Sequence, residues 1–293
     1  GDDSMLGGQG DDTVFGGSGN DTLYGGFGIN SVDGGSGDDL IYANPAALDG
    51  GDYDTLDGGS GVDTLSFAFA RFSVEFDTND LAIFNISHFE NFTGSEFNDH
   101  ITGSGLHEVL DGGAGNDDLF SSDTSRGRGL ADTLIGGDGD DFLRGGRHGD
   151  LLDGGDGADR IEADHGADTV DGGDGADRIS LSLENSIATG GAGADNFNYF
   201  ATKRHLVSGH AEITDLEAQD RIDLHRIDAD TTTGGDQAFT LVASLDGHAG
   251  QAALVYDSGA NVTHLELDTD GDGTAEAVID LTGDQTGFTN FVL

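Results

Sequence analysis

Cysteine is absent from the 293 residues, proline occurs once, and 11 Lys and Arg stand against 57 Asp and Glu. Without cysteine no disulfide can staple the fold, so in a chain that works outside the cell a bound metal is the available substitute. No run of 18 apolar residues occurs, which leaves no candidate for a helical membrane span. The formal net charge of -46 repels nucleic acid and disfavours an anionic membrane surface. There is neither an initiator Met nor a signal peptide at the front, and Gly1 falls inside a repeat, as expected of a piece of a longer protein.

What is abundant is aspartate, 47 residues against ten Glu. A merely solvated acidic surface uses Glu freely, so the bias points to turns and cation ligation. The aspartates are periodic. Asp132, Asp141, Asp150, Asp159, Asp168 and Asp177 recur nine residues apart, each followed two positions later by Leu134, Leu143, Leu152, Ile161, Val170 or Ile179. Glycine pairs open most units, as in Gly172-Gly173-Asp174-Gly175-Ala176-Asp177-Arg178-Ile179-Ser180. The unit reads G-G-x-G-x-D-x-U-x, with U a large apolar residue. Its glycines permit a loop that leaves carbonyl oxygens unshielded, and the aspartate adds a hard anionic oxygen, a donor set suited to calcium. The x-U-x that follows is long enough for a short strand with one side chain pointing inward. Two units make one turn of a flattened parallel solenoid, with calcium between neighbouring loops.

The same register opens the chain at Asp3, Asp12, Asp21, Asn30 and Asp39, trailed by Met5, Val14, Leu23, Val32 and Ile41. Asn30 supplies a neutral ligand, so a weaker site is expected there. An insertion containing Asn44-Pro45-Ala46-Ala47 interrupts the count before Asp54 and Asp63, and a second, with Arg126 and Arg128, falls between Asp117 and Asp132. Candidate calcium-holding residues are Gly8, Gly10, Asp12; Gly17, Gly19, Asp21; Gly35, Gly37, Asp39; Asp54; Gly59, Gly61, Asp63; Gly113, Gly115, Asp117; Asp132; Gly137, Gly139, Asp141; Asp150; Gly155, Gly157, Asp159; Asp168; Gly173, Gly175, Asp177; and Gly191, Gly193, Asp195. Irregular loops precede Asp150 and Asp168, and a degenerate turn carries Ser186 in the aspartate slot with Ala188 behind it.

Between the blocks, glycines thin and phenylalanines accumulate. Counting in nines from Asp63 nevertheless places Val74, Ile83, Phe92, Ile101, Leu110 and Leu119 at interior positions. This predicts a solenoid that continues with loops packed on phenylalanine, the alternative being a β-rich insert in phase by chance. The expected fold is all-β: a parallel β-roll, or β-solenoid, with a C-terminal β-rich cap. Its parts are 1–65 (first block), 66–106 (phenylalanine-rich continuation), 107–198 (second block) and 199–293 (cap), the last covering the open end that a solenoid otherwise exposes.

The nonapeptide is that of RTX proteins, and both blocks resemble the RTX β-roll. The segment Ile86-Ser87-His88-Phe89-Glu90-Asn91-Phe92-Thr93-Gly94 is similar to the segment joining RTX blocks. Ile213-Thr214-Asp215-Leu216, Asp220-Arg221-Ile222-Asp223-Leu224, Asp268-Thr269-Asp270-Gly271-Asp272-Gly273, Ile279-Asp280-Leu281-Thr282-Gly283 and Phe291-Val292-Leu293 resemble the C-terminal region of serralysin-type secreted proteins. The resemblance implies calcium as ligand, a secreted or cell-surface location of bacterial type, and export by a type I secretion machine that reads an uncleaved C-terminal signal. Relatives place an acid before three terminal apolar residues. Here Asn290 takes its place, and a final strand tucked into the cap is the competing reading of those residues.

Asp268, Asp270, Asp272 and Gly273 fit the start of an EF-hand loop, but its twelfth position holds Ile279 rather than the bidentate Glu. They remain a further candidate metal site, against a polar hairpin turn. His107-Glu108 begins a zinc-protease motif that Val109, Leu110 and Asp111 do not complete. His205, His210 and His264 show no ligand spacing and are expected at the surface. No nucleophile elbow or phosphate loop occurs, so no catalysis is expected within the chain. The expected function is a calcium-triggered folding switch with roughly ten ions, each cancelling two charges and clamping two loops. Two alternatives stay open: the C-terminal part of a secreted protease, lipase or polysaccharide-modifying enzyme, and a calcium-dependent self-assembling or adhesive surface protein.

Overall fold

The computed structural model describes residues 1–43, 54–79, 85–104, 106–121, 130–200, 209–232 and 237–293. The Asn44-Pro45-Ala46-Ala47 insertion, the Arg126 and Arg128 loop, Ile83, Phe84 and His205 lie outside them. The chain divides into two compact units, Gly1–Phe142 and Leu143–Leu293.

In the first unit, Ser4–Gln9, Thr22–Phe27, Leu40–Tyr42 and Thr64–Ser66 pair in parallel as one sheet. Thr13–Ser18, Ser31–Ser36 and Thr55–Ser60 pair in parallel as a second. Alternate nonapeptides therefore feed alternate sheets, and partners sit two units apart, as Leu23 beside Ile41 and Val14 beside Val32. Each x-U-x turns one side chain inward because side chains alternate along a strand. Leu23, Ile41 and Leu65 are fully buried, each burial contributing about 1.5–3 kcal/mol relative to exposure.

The phenylalanine-rich stretch departs from the nine-residue count. Phe92 pairs with Leu65, 27 positions back, and with Leu110 ahead, so 27 residues form one enlarged coil where the count expected one and a half ordinary ones. The first sheet runs through it without a break. The second does not: Ile86–Ser87 ends it against Leu56 and Asp57, while Glu75–Asp77 begins a new ladder against His100–Thr102. Phe76, rather than Val74, sits opposite Ile101. Val74 is buried beside it, so Val74 and Phe92 do not share a row. Phe67, Phe76, Phe89 and Phe92 fill the enlarged coil, whereas Phe69 and Phe72 are exposed.

In the second unit, Leu151–Asp156, Thr169–Asp171, Glu184–Thr189, Gly209–Ile213 and Ala277–Thr282 form one parallel ladder. Arg160–Glu162, Arg178–Ser182, Asn196–Phe200, Arg221–Arg226 and Phe291–Val292 form the other. Parallel pairing thus runs past residue 198, placing Ile213 and Ile222 in line with Ala188 and Phe197. The cap then folds antiparallel, Val262–Asp268 against Ala277–Thr282 and Gln251–Asp257 against Val262–Asp268. Phe291–Val292 closes the second sheet, and Asn290 Nδ2 donates to the Asp220 carbonyl at 2.7 Å. Among the described residues no helix is long and apolar enough to cross a membrane.

Candidate calcium sites

The slot aspartates form a hydrogen-bonded ladder along the coils. Asp21 Oδ1 accepts the Asp3 N–H at 2.7 Å, Asp39 Oδ1 accepts Asp21 N–H at 2.7 Å, and Asp63 Oδ1 accepts Asp39 N–H at 2.8 Å. The pattern repeats at Asp117, Asp141, Asp168, Asp177 and Asp195, which accept from Asp99, Asp117, Asp150, Asp159 and Asp177. Asp54 accepts from Asn30 and Asp132 from Glu108. Each of these bonds engages the Oδ1 atom of its carboxylate.

The second oxygen differs. Oδ2 of Asp12, Asp21, Asp39, Asp63, Asp117, Asp168, Asp177 and Asp195 is buried without a hydrogen-bond partner. A buried, unpaired carboxylate oxygen costs several kcal/mol unless something compensates it. In most of these units it faces the first glycine of its own repeat. A Cβ on Gly34 would lie 2.4 Å from Asp39 Oδ2 and 2.4 Å from the Gly58 carbonyl oxygen of the next coil. Gly16 and Gly172 repeat the arrangement against Asp21 with Gly34, and Asp177 with Gly190, at 2.5 to 2.6 Å. Carboxylate and carbonyl oxygens therefore converge on a cradle that any side chain would fill. Hard oxygen donors of this kind fit calcium.

The glycines assigned from the sequence also shape the loop. All of them, at the second and fourth positions of the unit, take positive φ, from 85° at Gly191 to 159° at Gly193. They also stack closely: a Cβ on Gly35 would come within 2.3 Å of the Gly17 carbonyl oxygen. The first glycine of each unit, which lines the cradle, was not singled out by the sequence reading, although its invariance of position from unit to unit was visible there. Also missed was an outer ladder, in which Ile29, Asp38 and Val62 donate their N–H groups to Asp11, Asn20 and Asp38.

Burial raises five of the slot acids well above the usual carboxylate range. Asp63, Asp117 and Asp195 rise to about 6, and Asp168 and Asp177 to about 7. Desolvation is the largest cause in each, partly opposed by the N–H of the preceding coil, with neighbouring acids adding to the rise.

Four slots are instead closed by the protein itself. Asn30 Nδ2 donates to the Gly26 and Gly28 carbonyls, each at 3.4 Å. Asp99 accepts from Ser95 N–H and Ser95 Oγ, and Glu108 from Ser104 N–H and Ser104 Oγ. Asp220 Oδ2 accepts the Glu217 N–H at 2.6 Å. Ser186, in the degenerate slot, accepts the Asp168 N–H at 3.4 Å. Asn30→Asp is expected to add one bound calcium per chain, counted by equilibrium dialysis, because it returns an anionic oxygen to an otherwise complete loop. Asp99→Asn should leave the count unchanged. A rise absent from the first, or a fall in the second, would break the distinction.

In the cap, Asp268, Asp270, Asp272 and Glu276 place carboxylate oxygens within 4.8 Å of one another. Glu276, the ninth position of the loop, was missed because the reading tested the twelfth; Ile279 is buried in the sheet. Asp268 accepts Gly271 N–H and Gly273 N–H at 2.7 and 3.0 Å, so the loop's own amides already hold it. His210 and His264, which showed no common spacing, share one carboxylate: Asp280 Oδ2 meets His210 Nε2 at 2.7 Å, and Asp280 Oδ1 meets His264 Nδ1 at 2.6 Å. The two imidazoles hold Asp280 below the usual carboxylate range against the opposing effect of its burial. His107 Nδ1 meets the Ala131 carbonyl.

Parallel coils stacked at a nonapeptide period, with an oxygen-lined loop at each turn, define a parallel β-roll. The chain belongs to the family described as Peptidase M10 serralysin C terminal, whose model matches residues 3–293. It is an RTX-type region of the kind carried by secreted proteins. No curated protein matches it. Among solved structures it is similar to the AlgE6R3 subunit of the Azotobacter vinelandii mannuronan C5-epimerase, at 28% identity over 54% of this chain and 80% of that one, with a TM-score of 0.26. It is also similar to the extracellular lipase LipA of Serratia marcescens, at 14% identity over 81% of this chain and 45% of that one, with a TM-score of 0.22.

Proposed function

We propose that this chain is a calcium-triggered folding module of a secreted protein, unstructured where free calcium is scarce and rigid where it is abundant. The observation that carries the reading is the row of buried, unpartnered Oδ2 atoms facing glycine cradles. Calcium bound there supplies positive charge and oxygen coordination that links successive loops. Asp12, Asp21, Asp39, Asp63, Asp117, Asp177 and Asp195, with the carbonyls of the adjoining glycine loops, are the residues that would hold it, in blocks 1–65 and 107–198. Asp54, Asp132, Asp141, Asp150, Asp159 and Asp168 complete the assignment.

Without the ion, a chain of net charge -46 must bring its acids together in a fold with few apolar residues per coil. That composition does not offset the conformational entropy of ordering. At free calcium about tenfold above the dissociation constant, each site adds about 1.4 kcal/mol, so several sites together decide whether a marginal fold forms. The low calcium of a cytosol would leave the chain extended during type I export, and external calcium would fold it. The family's description supports a non-catalytic C-terminal position behind a catalytic module.

The test is circular dichroism during a calcium titration, with magnesium as control. A cooperative rise in β signal with calcium and none with magnesium is expected, since magnesium gives up its water reluctantly. A chain fully folded in excess chelator would overturn the reading.

A further inference from the structure

Two histidines of the unit Leu143–Leu293 converge on one carboxylate. Asp280 lies on Ala277–Thr282, the strand between the parallel ladder and the antiparallel cap. On one side Gly209–Ile213 brings His210, whose Nε2 stands 2.7 Å from Asp280 Oδ2. On the other side Val262–Asp268 sets His264 opposite Asp280, with its Nδ1 2.6 Å from Oδ1. The neighbouring residues Ala211, Leu265 and Ile279 are buried, so the three side chains face outward together. Glu212, between the buried Ala211 and Ile213, pairs with Asp280 across the strands and faces the same way.

Single contacts between an imidazole and an acid are what 57 acidic residues impose on exposed histidines. His88 meets Asp57, His225 meets Asp223 and His248 meets Asp246 in this manner. At Asp280, by contrast, two imidazoles from two different strands meet one carboxylate, with a second carboxylate on the adjoining strand. Burial opposes ionisation of Asp280, yet the hydrogen bonds and charge of the two imidazoles hold its carboxyl below the usual range, which keeps it in the form a metal requires.

The donor set differs from that of the calcium slots. Oxygen-only loops suit calcium, whereas imidazole nitrogen suits zinc and its first-row neighbours. Zinc takes four ligands, with nitrogen at about 2.0–2.1 Å and carboxylate oxygen at about 2.0–2.2 Å. The two nitrogens meet different oxygens of Asp280, and the His210 and His264 side chains are 49% and 32% exposed. The rings therefore close on a single ion by rotating at the surface, where side chains change rotamer within nanoseconds. Each neutral imidazole carries its proton on the other ring nitrogen when the coordinating one binds.

We propose that His210, His264 and Asp280, with Glu212 placed to supply the fourth ligand, form a site for a zinc-class transition-metal ion. Bound there, the ion staples Gly209–Ile213 of the parallel ladder to Val262–Asp268 of the antiparallel cap, in a chain with no cysteine to do so. The proposal is independent of the calcium slots, whose donors are all oxygen.

The probe is zinc chloride, titrated calorimetrically into the full chain in excess calcium, which occupies the oxygen sites. A single zinc per chain is expected above the weak background of the surface acids. His210→Gln and His264→Gln should each lower its affinity at least tenfold, whereas His248→Gln, whose imidazole meets Asp246 alone, should not change it. The β signal in calcium is recorded for every variant. Proton NMR of the unaltered chain frees the test from the folding of variants: two imidazoles out of ten should shift with the first equivalent of zinc. No zinc above background, unchanged affinity in either His210→Gln or His264→Gln, an equal loss in His248→Gln, or shifts spread evenly over the histidines would each overturn the proposal. A chain that folds without calcium would leave this test intact.

Discussion

Acidifying the metal-free chain from about pH 8 to about pH 5 should raise its β-sheet signal, in part replacing calcium. The direction follows from burial. Asp168 and Asp177 sit at about 7 in the fold, and Asp63, Asp117 and Asp195 at about 6, against about 3.8 in an unfolded chain. A raised carboxyl pKa means that the folded state binds protons more tightly than the unfolded one. Stability from this source is therefore present at low pH and is lost as pH rises between about 4 and 7. A rise from 3.8 to about 7 corresponds to a cost on the order of 4 kcal/mol per group once both states are ionised. With calcium present the ionised form is compensated, and the signal should stay flat across the same window until acid displaces the metal. Calcium added near pH 6.5 should accordingly release protons, and calcium added near pH 9 should release few. A metal-free chain whose β signal falls through this window would contradict the assignment of the slots.

Asp177→Asn should change sign with conditions. Asp177 Oδ1 accepts the Asp159 N–H at 2.8 Å, a role the amide oxygen can keep. Its Oδ2 faces the Gly172 cradle, where Asn30 shows what an amide nitrogen does in the equivalent place: it donates to the carbonyls of its own loop. In calcium the variant should bind one ion fewer and lose about 1.4 kcal/mol at a free concentration about tenfold above the dissociation constant. In chelator near pH 8 it should be the more stable protein, because an amide is buried where a carboxylate was, by up to about 4 kcal/mol. The urea midpoint in calcium and the residual β signal in chelator measure the two arms. A variant weakened equally in both would mean that the carboxylate serves the ladder alone.

Local signals made the repeats legible. Each nonapeptide carries its own loop glycines, slot acid and inward apolar residue, so Leu23, Ile41, Leu134 or Ile179 could be placed in the core without knowing any partner. The donor chemistry was legible for the same reason, since an aspartate beside a glycine loop is local. The enlarged coil was not. Phase in nines survives from Leu65 to Phe92, yet three units were spent on one turn, and only the pairing partner reveals it. Nor could the sequence tell Asp39, with an unpartnered oxygen, from Asp99, whose slot Ser95 closes, although the serine four residues upstream was there to read.

The sequence by itself determined the period, the parallel β-roll, the inward row and the oxygen chemistry of the loops, because all of these repeat within nine residues. Tertiary structure decided which slots the protein closes for itself, that the first glycine forms the cradle wall, that Asp280 serves two histidines, and that Arg160, Arg178 and Arg221 share a row. The shared carboxylate and the arginine row depend on partners 16 to 70 positions away, at distances set by insertions and loops that carry no periodic signal, whereas a slot is closed by a residue two to four positions away whose side chain the repeat leaves free to vary.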